Sequence, residues 1–423
     1  MKLNPFLYTF YKNNEVALFN SLTLDMAFLR QAEFRQIKAN SLFVGNLNYI
    51  VYDDFNAEEY FYKYVDKCKQ QINNDINCIY INLTSECNFS CKYCLVKQAN
   101  REEKYMTLEV AKEIIPFLLR NRVLKPMIIF YGGEPLLNFK VMKYIVNQFK
   151  NSDIFPAFSL ITNGSILSED IIQFIRENKI FVCVSYDGIF STKKMRLSEN
   201  GHTGDKVLDT ISKLRSSSIE IGISCTLTNQ TDEDFQDIVS VLRRYKISNI
   251  GFNPLLDNSY YQQPLKQRLN TIKKAMYYAA LLKTKGIYEE HFFQKLFIPL
   301  KHKQLYLKNC SAYGKQIVIN PSGTINICQS CNLKEYYCDL EVPSIFDTKN
   351  IIEHPIWKEW GQKTTFRNSN CKNCPSISIC GGGCINENLI KNKPLNSINV
   401  NRCSEMEIVL PWLIWEIRKE MIQ

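Results

Sequence analysis

Cys87-Asn88-Phe89-Ser90-Cys91-Lys92-Tyr93-Cys94 decides the reading of this chain. The stretch follows an apolar run, Cys78 to Leu83, that reads as a strand, and it places three thiols at Cys-x3-Cys-x2-Cys spacing on the loop leaving it. Three thiolates so spaced can hold three irons of a cubane [4Fe-4S] cluster and leave the fourth iron without a protein ligand, open to chemistry. Buried free cysteines and half of a zinc site are the competing readings, since cysteine is often core and Cys-x2-Cys is common in zinc motifs. A third cysteine upstream of the pair suits neither, and none of the chain's four histidines lies within ten residues of the loop.

The composition is compatible with that chemistry. At 423 residues the chain is long enough for two or three domains, and 45% hydrophobic with 22% charged residues is the balance of a globular protein with a large core. It contains no run of eighteen apolar residues, and its first residues, Met1-Lys2-Leu3-Asn4-Pro5, lack a long apolar signal region, so a cytoplasmic protein with no membrane partner is expected. Sixteen cysteines in a reducing compartment argue for metal or cluster ligation over disulfides. The net charge of +10 is spread along the chain without a nucleic-acid motif, which fits a solvated basic surface and no nucleic-acid partner.

Outward from the loop, strands and helices alternate. Apolar runs at Cys78 to Leu83, Met127 to Tyr131, Ala157 to Thr162, Ile180 to Ser185, Ile219 to Leu227 and Ile247 to Phe252 read as strands. Amphipathic stretches between them, Thr107 to Arg120, Phe139 to Lys150, Ser168 to Asn178, Gly204 to Leu214 and Thr231 to Lys246, read as helices. Ser168-Glu169-Asp170 and Thr231-Asp232-Glu233 look like helix starts with acids in the first turn. Six strands with helical crossovers predict a parallel sheet and a partial (β/α)6, TIM-like barrel. Cys183 and Cys225 fall inside strands and read as core.

The polar motifs fall after the strands, where such a barrel carries its chemistry. Gly132-Gly133-Glu134-Pro135 follows the second strand; paired glycines would let backbone approach a ligand and the glutamate would anchor it. Thr162-Asn163-Gly164 follows the third strand and Ser185-Tyr186-Asp187-Gly188 the fourth. Each alone could be an ordinary turn, for which Asn-Gly and Asp-Gly are common signals. Together with the cluster loop they resemble the radical S-adenosylmethionine (radical SAM) enzymes. The resemblance implies that Cys87, Cys91 and Cys94 hold the cluster and that its open iron binds the methionine end of S-adenosylmethionine. One electron then releases a 5'-deoxyadenosyl radical that takes hydrogen from the substrate. It further implies cofactor contacts from Gly132, Gly133, Glu134, Thr162, Asn163 and Ser185, with Arg196 near the carboxylate, and an external electron donor of flavodoxin or ferredoxin type.

The C-terminal section contains seven cysteines in a fixed order. Cys310, then Gly323 to Cys328 as G-x4-C, then Cys371-x2-Cys374-x5-Cys380-x3-Cys384, then Cys403, resemble the SPASM extension of the radical SAM family. That resemblance implies two auxiliary [4Fe-4S] clusters, an outer one on Cys371, Cys374, Cys380 and Cys403 and an inner one on Cys310, Cys328 and Cys384. A zinc ribbon is the structural alternative. No cysteine lies between Cys225 and Cys310, so the inner cluster's usual early ligand is missing. Its fourth iron would be open to a substrate thiolate or held by Cys331 or Cys338. Residue 329 is Gln where sulfatase-maturing relatives have a proposed aspartate base, and an amide has no useful proton affinity for that work.

Residues 1–75 differ from the rest. Phe6 to Tyr11 and Val16 to Phe19 flank Lys12-Asn13-Asn14-Glu15 and read as a β-hairpin, with helical or mixed segments at Leu24 to Ile37 and Ala57 to Gln71. This is similar to the winged-helix-like peptide-recognition elements of peptide-modifying members of the family, which offer a sheet edge to a leader peptide; a plain cap on the barrel is the alternative. The expected division is thus a recognition module at 1–75, a barrel at 76–255, a helical bridge at 256–309 and a SPASM region at 310–423. In the bridge, Tyr260, Tyr261, Tyr277, Tyr278, Phe292, Phe293 and Phe297 read as packing.

The functional expectation is a radical SAM/SPASM maturase of a ribosomally made precursor peptide, forming a thioether or other crosslink. Alternatives are a sulfatase-maturase-like enzyme, a peptide epimerase, and a non-catalytic iron-sulfur or zinc scaffold that would leave Gly132-Gly133-Glu134 unexplained.

Overall fold

Hydrophobic alternation sets the sheet. In the first strand Ile79, Ile81 and Leu83 are fully buried toward the helices, while Cys78 and Tyr80 on the other face are half-buried. The same rhythm runs through the second strand, where Ile128 and Phe130 are buried and Ile129 and Tyr131 less so. A computed structural model describes residues 2–40, 50–51, 55–69, 75–98, 105–198, 203–257, 262–331 and 333–422. Tyr260, Tyr261 and the last residues of the Ala57 to Gln71 segment lie outside these.

Among the described residues, strands Cys78–Thr84, Met127–Gly132, Ala157–Thr162, Phe181–Ser185, Ile221–Leu227 and Asn249–Pro254 pair in chain order, every pair parallel. Helices Leu108–Arg120, Phe139–Phe149, Glu169–Glu177, Thr203–Ser216 and Asp232–Arg244 make the crossovers. This is the partial (β/α)6 arrangement, with a sheet not closed by hydrogen bonds. The helix starts are capped as the sequence predicts: Ser168 accepts from the Ile171 amide, and Thr231 and Asp234 cap each other's backbone reciprocally.

The C-terminal section enters this sheet. Strand Gln316–Ile319 pairs in parallel with the first barrel strand, Gln316 opposite Cys78 and Ile319 opposite Ile81, and Ile325–Asn326 adds an antiparallel edge. The result is one eight-stranded sheet shared by the barrel and the C-terminal section. In the bridge, helix Leu265–Lys283 is followed by a π-helical stretch, Glu290–Phe297, whose Phe292, Phe293 and Phe297 are fully buried against the C-terminal helix Val400–Ile422 through Trp412. Tyr278 stacks on Phe235, whereas Tyr277 is 65% exposed and packs only edge-on against Tyr278.

At the N-terminus the hairpin forms as Leu7–Lys12 and Glu15–Asn20, turning at Asn13, whose φ is +51°. The segment from Leu24, expected to be helical or mixed, is mixed. Asn20 accepts from the Leu22 and Thr23 amides and Leu24 takes a φ of +62°, so the chain reverses and Met26–Arg30 becomes a third, antiparallel strand. Helix begins only at Gln31. The meander and helix Ala57–Lys69 sit on the auxiliary section: Phe6, Leu22, Phe61 and Val65 pack with Phe366 and Ile377, and the Tyr8 hydroxyl donates to the Asn373 carbonyl at 2.5 Å.

Candidate active site

The cluster loop is held by the strand ends around it. Gly133 and Glu134 donate their amides to the carbonyls of Thr84 (2.8 Å) and Glu86 (2.9 Å). A Cβ on Gly132 would lie 2.2 Å from the Thr84 oxygen, and one on Gly133 2.0 Å from the Glu86 oxygen. The paired glycines therefore allow close backbone-to-backbone contact with the segment that leads into the cluster loop. On its far side the loop forms a short strand, Phe89–Cys91, antiparallel to Arg196–Ser198.

Glu134 is completely buried. One carboxylate oxygen accepts from the Leu136 amide (3.1 Å) and the Thr162 hydroxyl (2.8 Å), the other from the Asn163 amide (2.8 Å). Burial outweighs these donors and pushes its pKa up to about 7. Its visible role is to clasp the ends of the second and third strands. Asn163 then reaches the loop, its side-chain amide donating to Asn88 Oδ1 (3.0 Å) and lying 3.6 Å from Cys87 Sγ. Ser185 ends the fourth strand, half-buried, opposite Ser224.

A buried charge network closes the other side. The Tyr93 hydroxyl donates to Asp187, Arg196 Nη1 donates to the Tyr93 oxygen at 2.6 Å and lies 3.6 Å from Asp187, and Asp187 also accepts from the Thr226 amide at 2.8 Å. Burial alone would lower the Arg196 pKa, but the neighbouring Tyr93, Cys91 and Asp187 raise it and keep the guanidinium charged. Its Nε has no hydrogen-bond partner among the described residues. Burial pushes the Cys87 thiol up to about 11, and nearby Glu134, Cys91 and Cys94 add to the shift. The site thus gathers the three loop thiols, a charged guanidinium and an orphaned buried donor, and these fit a thiolate-bound iron-sulfur cluster beside a carboxylate-bearing ligand. Sequence reasoning gave Tyr93 no role and quoted Asp187 only within the Ser185 to Gly188 motif; their pairing with Arg196 comes from three separate segments of the chain.

The C-terminal thiols form two groups. Cys371, Cys374, Cys380 and Cys403 line one cavity of about 300 Å³, with Arg402, whose Nη2 is buried and unpaired among the described residues, on its wall. Burial pushes Cys371 up to about 12, and Cys374, Cys380 and Cys403 contribute. In the second group Cys384 is raised by burial and by Glu387, Cys328 and Cys310. Gly381, Gly382 and Gly383 all have positive φ, which turns the chain between Cys380 of one group and Cys384 of the other. Among the described residues no three His, Cys, Asp or Glu side chains converge tightly enough for a single metal ion. Cubane ligands are set around a cluster instead of on one ion.

Comparison with known proteins follows the same lines. Residues 81–242 match the Radical SAM superfamily. The radical SAM cyclopropyl synthase TigE of Paramaledivibacter caminithermalis is 24% identical over 367 residues, 80% of this chain and 74% of TigE. The structure of anSMEcpe with bound AdoMet and the Cp18Cys peptide aligns at a TM-score of 0.68 and 20% identity, over 81% of this chain and 99% of that one. Streptococcus suis SuiB bound to its precursor peptide SuiA aligns at 0.59 and 16%, over 95% of this chain and 99% of SuiB. The stretch matched to the radical SAM superfamily, residues 81–242, contains both the cysteine loop and the strand-end clasp behind it.

Proposed function

We propose that this chain is a radical SAM enzyme that modifies a ribosomally made precursor peptide. The observation that carries the reading is the loop Cys87 to Cys94 packed against a charged Arg196 whose Nε has no partner among the described residues. Cys87, Cys91 and Cys94 would hold a [4Fe-4S] cluster, which, with S-adenosylmethionine bound, supplies one-electron cleavage to a carbon radical that removes hydrogen. Arg196 orients the ligand's carboxylate, and Tyr93 and Asp187 fix the guanidinium. Glu134 holds the strand ends against the loop, and Asn163 braces Asn88 beside Cys87.

The peptide substrate is supported by SuiB, bound to a precursor peptide, and by anSMEcpe, bound to a peptide. The N-terminal meander keeps two strand edges, Leu7–Lys12 and Met26–Arg30, and one of them would take a leader peptide as an added strand. The outer cavity with Cys371, Cys374, Cys380 and Cys403, and the group Cys310, Cys328 and Cys384, would hold auxiliary clusters that accept the electron left when a bond forms. A thioether is the first product to seek. An external flavodoxin- or ferredoxin-type donor would reduce the loop cluster.

The test is anaerobic co-expression with the short peptide encoded beside the gene, followed by mass spectrometry. Loss of two hydrogens per site that also blocks thiol alkylation is the expected result. An unchanged mass without deuterium uptake from solvent would contradict crosslinking and epimerisation together.

A further inference from the structure

The inner group lacks a fourth thiol in its own section, and the fold brings one from another. Cys78 opens the first barrel strand, 232 residues before Cys310 in sequence, and pairs in register with Gln316. Paired residues of neighbouring parallel strands point to the same side of a sheet, so Cys78 and Gln316 share a face.

The Gln316 side chain marks what lies on that face. Its amide nitrogen donates to the carbonyl of Ile327, the residue before Cys328, at 3.0 Å, and its oxygen accepts from the Ser311 hydroxyl, next to Cys310, at 2.5 Å. The Cys78 thiol lies beside the same Ser311, and the amides of Asn77 and Cys78 both donate to the Lys315 carbonyl (3.1 and 3.2 Å). Cys328 and Cys78 both act electrostatically on Cys310, and Cys310 and Cys328 act on Cys384. Tyr80, two residues on along the strand and on the same face as Cys78, feels both Cys78 and Cys310. Cys310 itself opens on a cavity of about 630 Å³ that Tyr80 and Gln316 also line. The other candidates sit differently: Cys331 is fully buried in the core beside Tyr336 and Tyr337, and Cys338 is exposed.

We infer that Cys78 is the fourth ligand of the inner auxiliary cluster, which completes a Cys78, Cys310, Cys328 and Cys384 set. The inference rests on the auxiliary-cluster reading above. On ligation the Cys78 thiol gives its proton to solvent and its thiolate takes the fourth iron. With all four irons held by protein the inner cluster passes electrons and has no position for a substrate thiolate.

The test uses the full chain with Cys87, Cys91 and Cys94 all changed to Ala, so that only auxiliary clusters remain, loaded anaerobically with iron and sulfide. Two complete clusters bring about eight irons per chain. The electron paramagnetic resonance spectrum of the reduced protein should not move on addition of excess 2-mercaptoethanol. With Cys78→Ala added, the inner signal should either shift with that thiol or be lost from the reduced spectrum while a three-iron signal appears in the oxidised protein, with loss of about one iron; Cys331→Ala and Cys338→Ala should change neither. A thiol-induced shift while Cys78 is present would overturn the assignment without relying on any variant at that position. So would a Cys78→Ala protein, folded by circular dichroism, with an unmoved spectrum. A loaded protein holding about four irons or fewer would instead overturn the two-cluster reading itself, and the ligand with it.

Discussion

Single residues in this protein fix the distance between segments, and the glycines show it most directly. Gly133 stands where any Cβ would strike the Glu86 carbonyl at 2.0 Å, a backbone atom that cannot turn aside. Gly133→Ala should therefore push the cluster loop off the second strand. The expected result is loss of about one cluster's iron on anaerobic loading, with the auxiliary clusters retained, as measured by iron analysis and spectroscopy. Full iron content in that variant would show that the contact is dispensable. Gly383 is set in a similar way in the C-terminal section, where a Cβ would lie 2.7 Å from that of Asn399 and 2.9 Å from that of Arg402. Glycine pairs are readable in a sequence as freedom; what they touch is not.

At the scale of elements, the strands and helices of the barrel carry their own signals. The cap at Thr231 is the clearest: Thr231 Oγ1 accepts from the Asp234 amide at 3.2 Å, and Asp234 accepts from the Thr231 amide at 3.1 Å. Thr231→Ala should lower stability by roughly 1 kcal/mol, seen as an earlier midpoint in chemical denaturation, with cofactor loading unchanged. The six barrel strands were legible because each is an apolar run between polar turns, and the helices because their apolar residues recur at helical spacing. Met26–Arg30 was not legible, since Leu24 to Ile37 can be read with helical spacing and the turn at Asn20 to Asp25 is built by one asparagine side chain and one positive φ. The cysteine loop could be read from spacing, and the two C-terminal groups from the resemblance of their order to the SPASM extension. Tyr93, Asp187 and Cys78 could not, because their partners come from other strands.

Across the whole molecule, barrel and C-terminal section share a sheet, and the bridge and C-terminal section share a buried charge network. The Gln316–Ile319 strand joins the first barrel strand over more than two hundred residues of sequence, a pairing that no local pattern announces. On another side, Arg268 of the bridge helix bonds Glu405 of the last helix at 2.6 Å and lies 3.7 Å from Glu387 and 4.0 Å from Asp257, all of them buried. Arg268→Met would leave these acids without their shared cation, a loss of roughly 3–5 kcal/mol for breaking a buried pair. The expected outcome is a marked fall in the denaturation midpoint together with weaker loading of the auxiliary clusters, since Glu387 lies beside Cys384. Stability equal to that of the unmodified chain would mean that the network does not hold the sections together. The central claim concerns the cysteine loop that follows the first barrel strand, and the production of 5'-deoxyadenosine from S-adenosylmethionine tests it most directly. With clusters loaded and a strong reductant present, the unmodified chain should release 5'-deoxyadenosine and Cys91→Ala should release none. Equal release from both, or none from a fully loaded unmodified chain, would contradict the account.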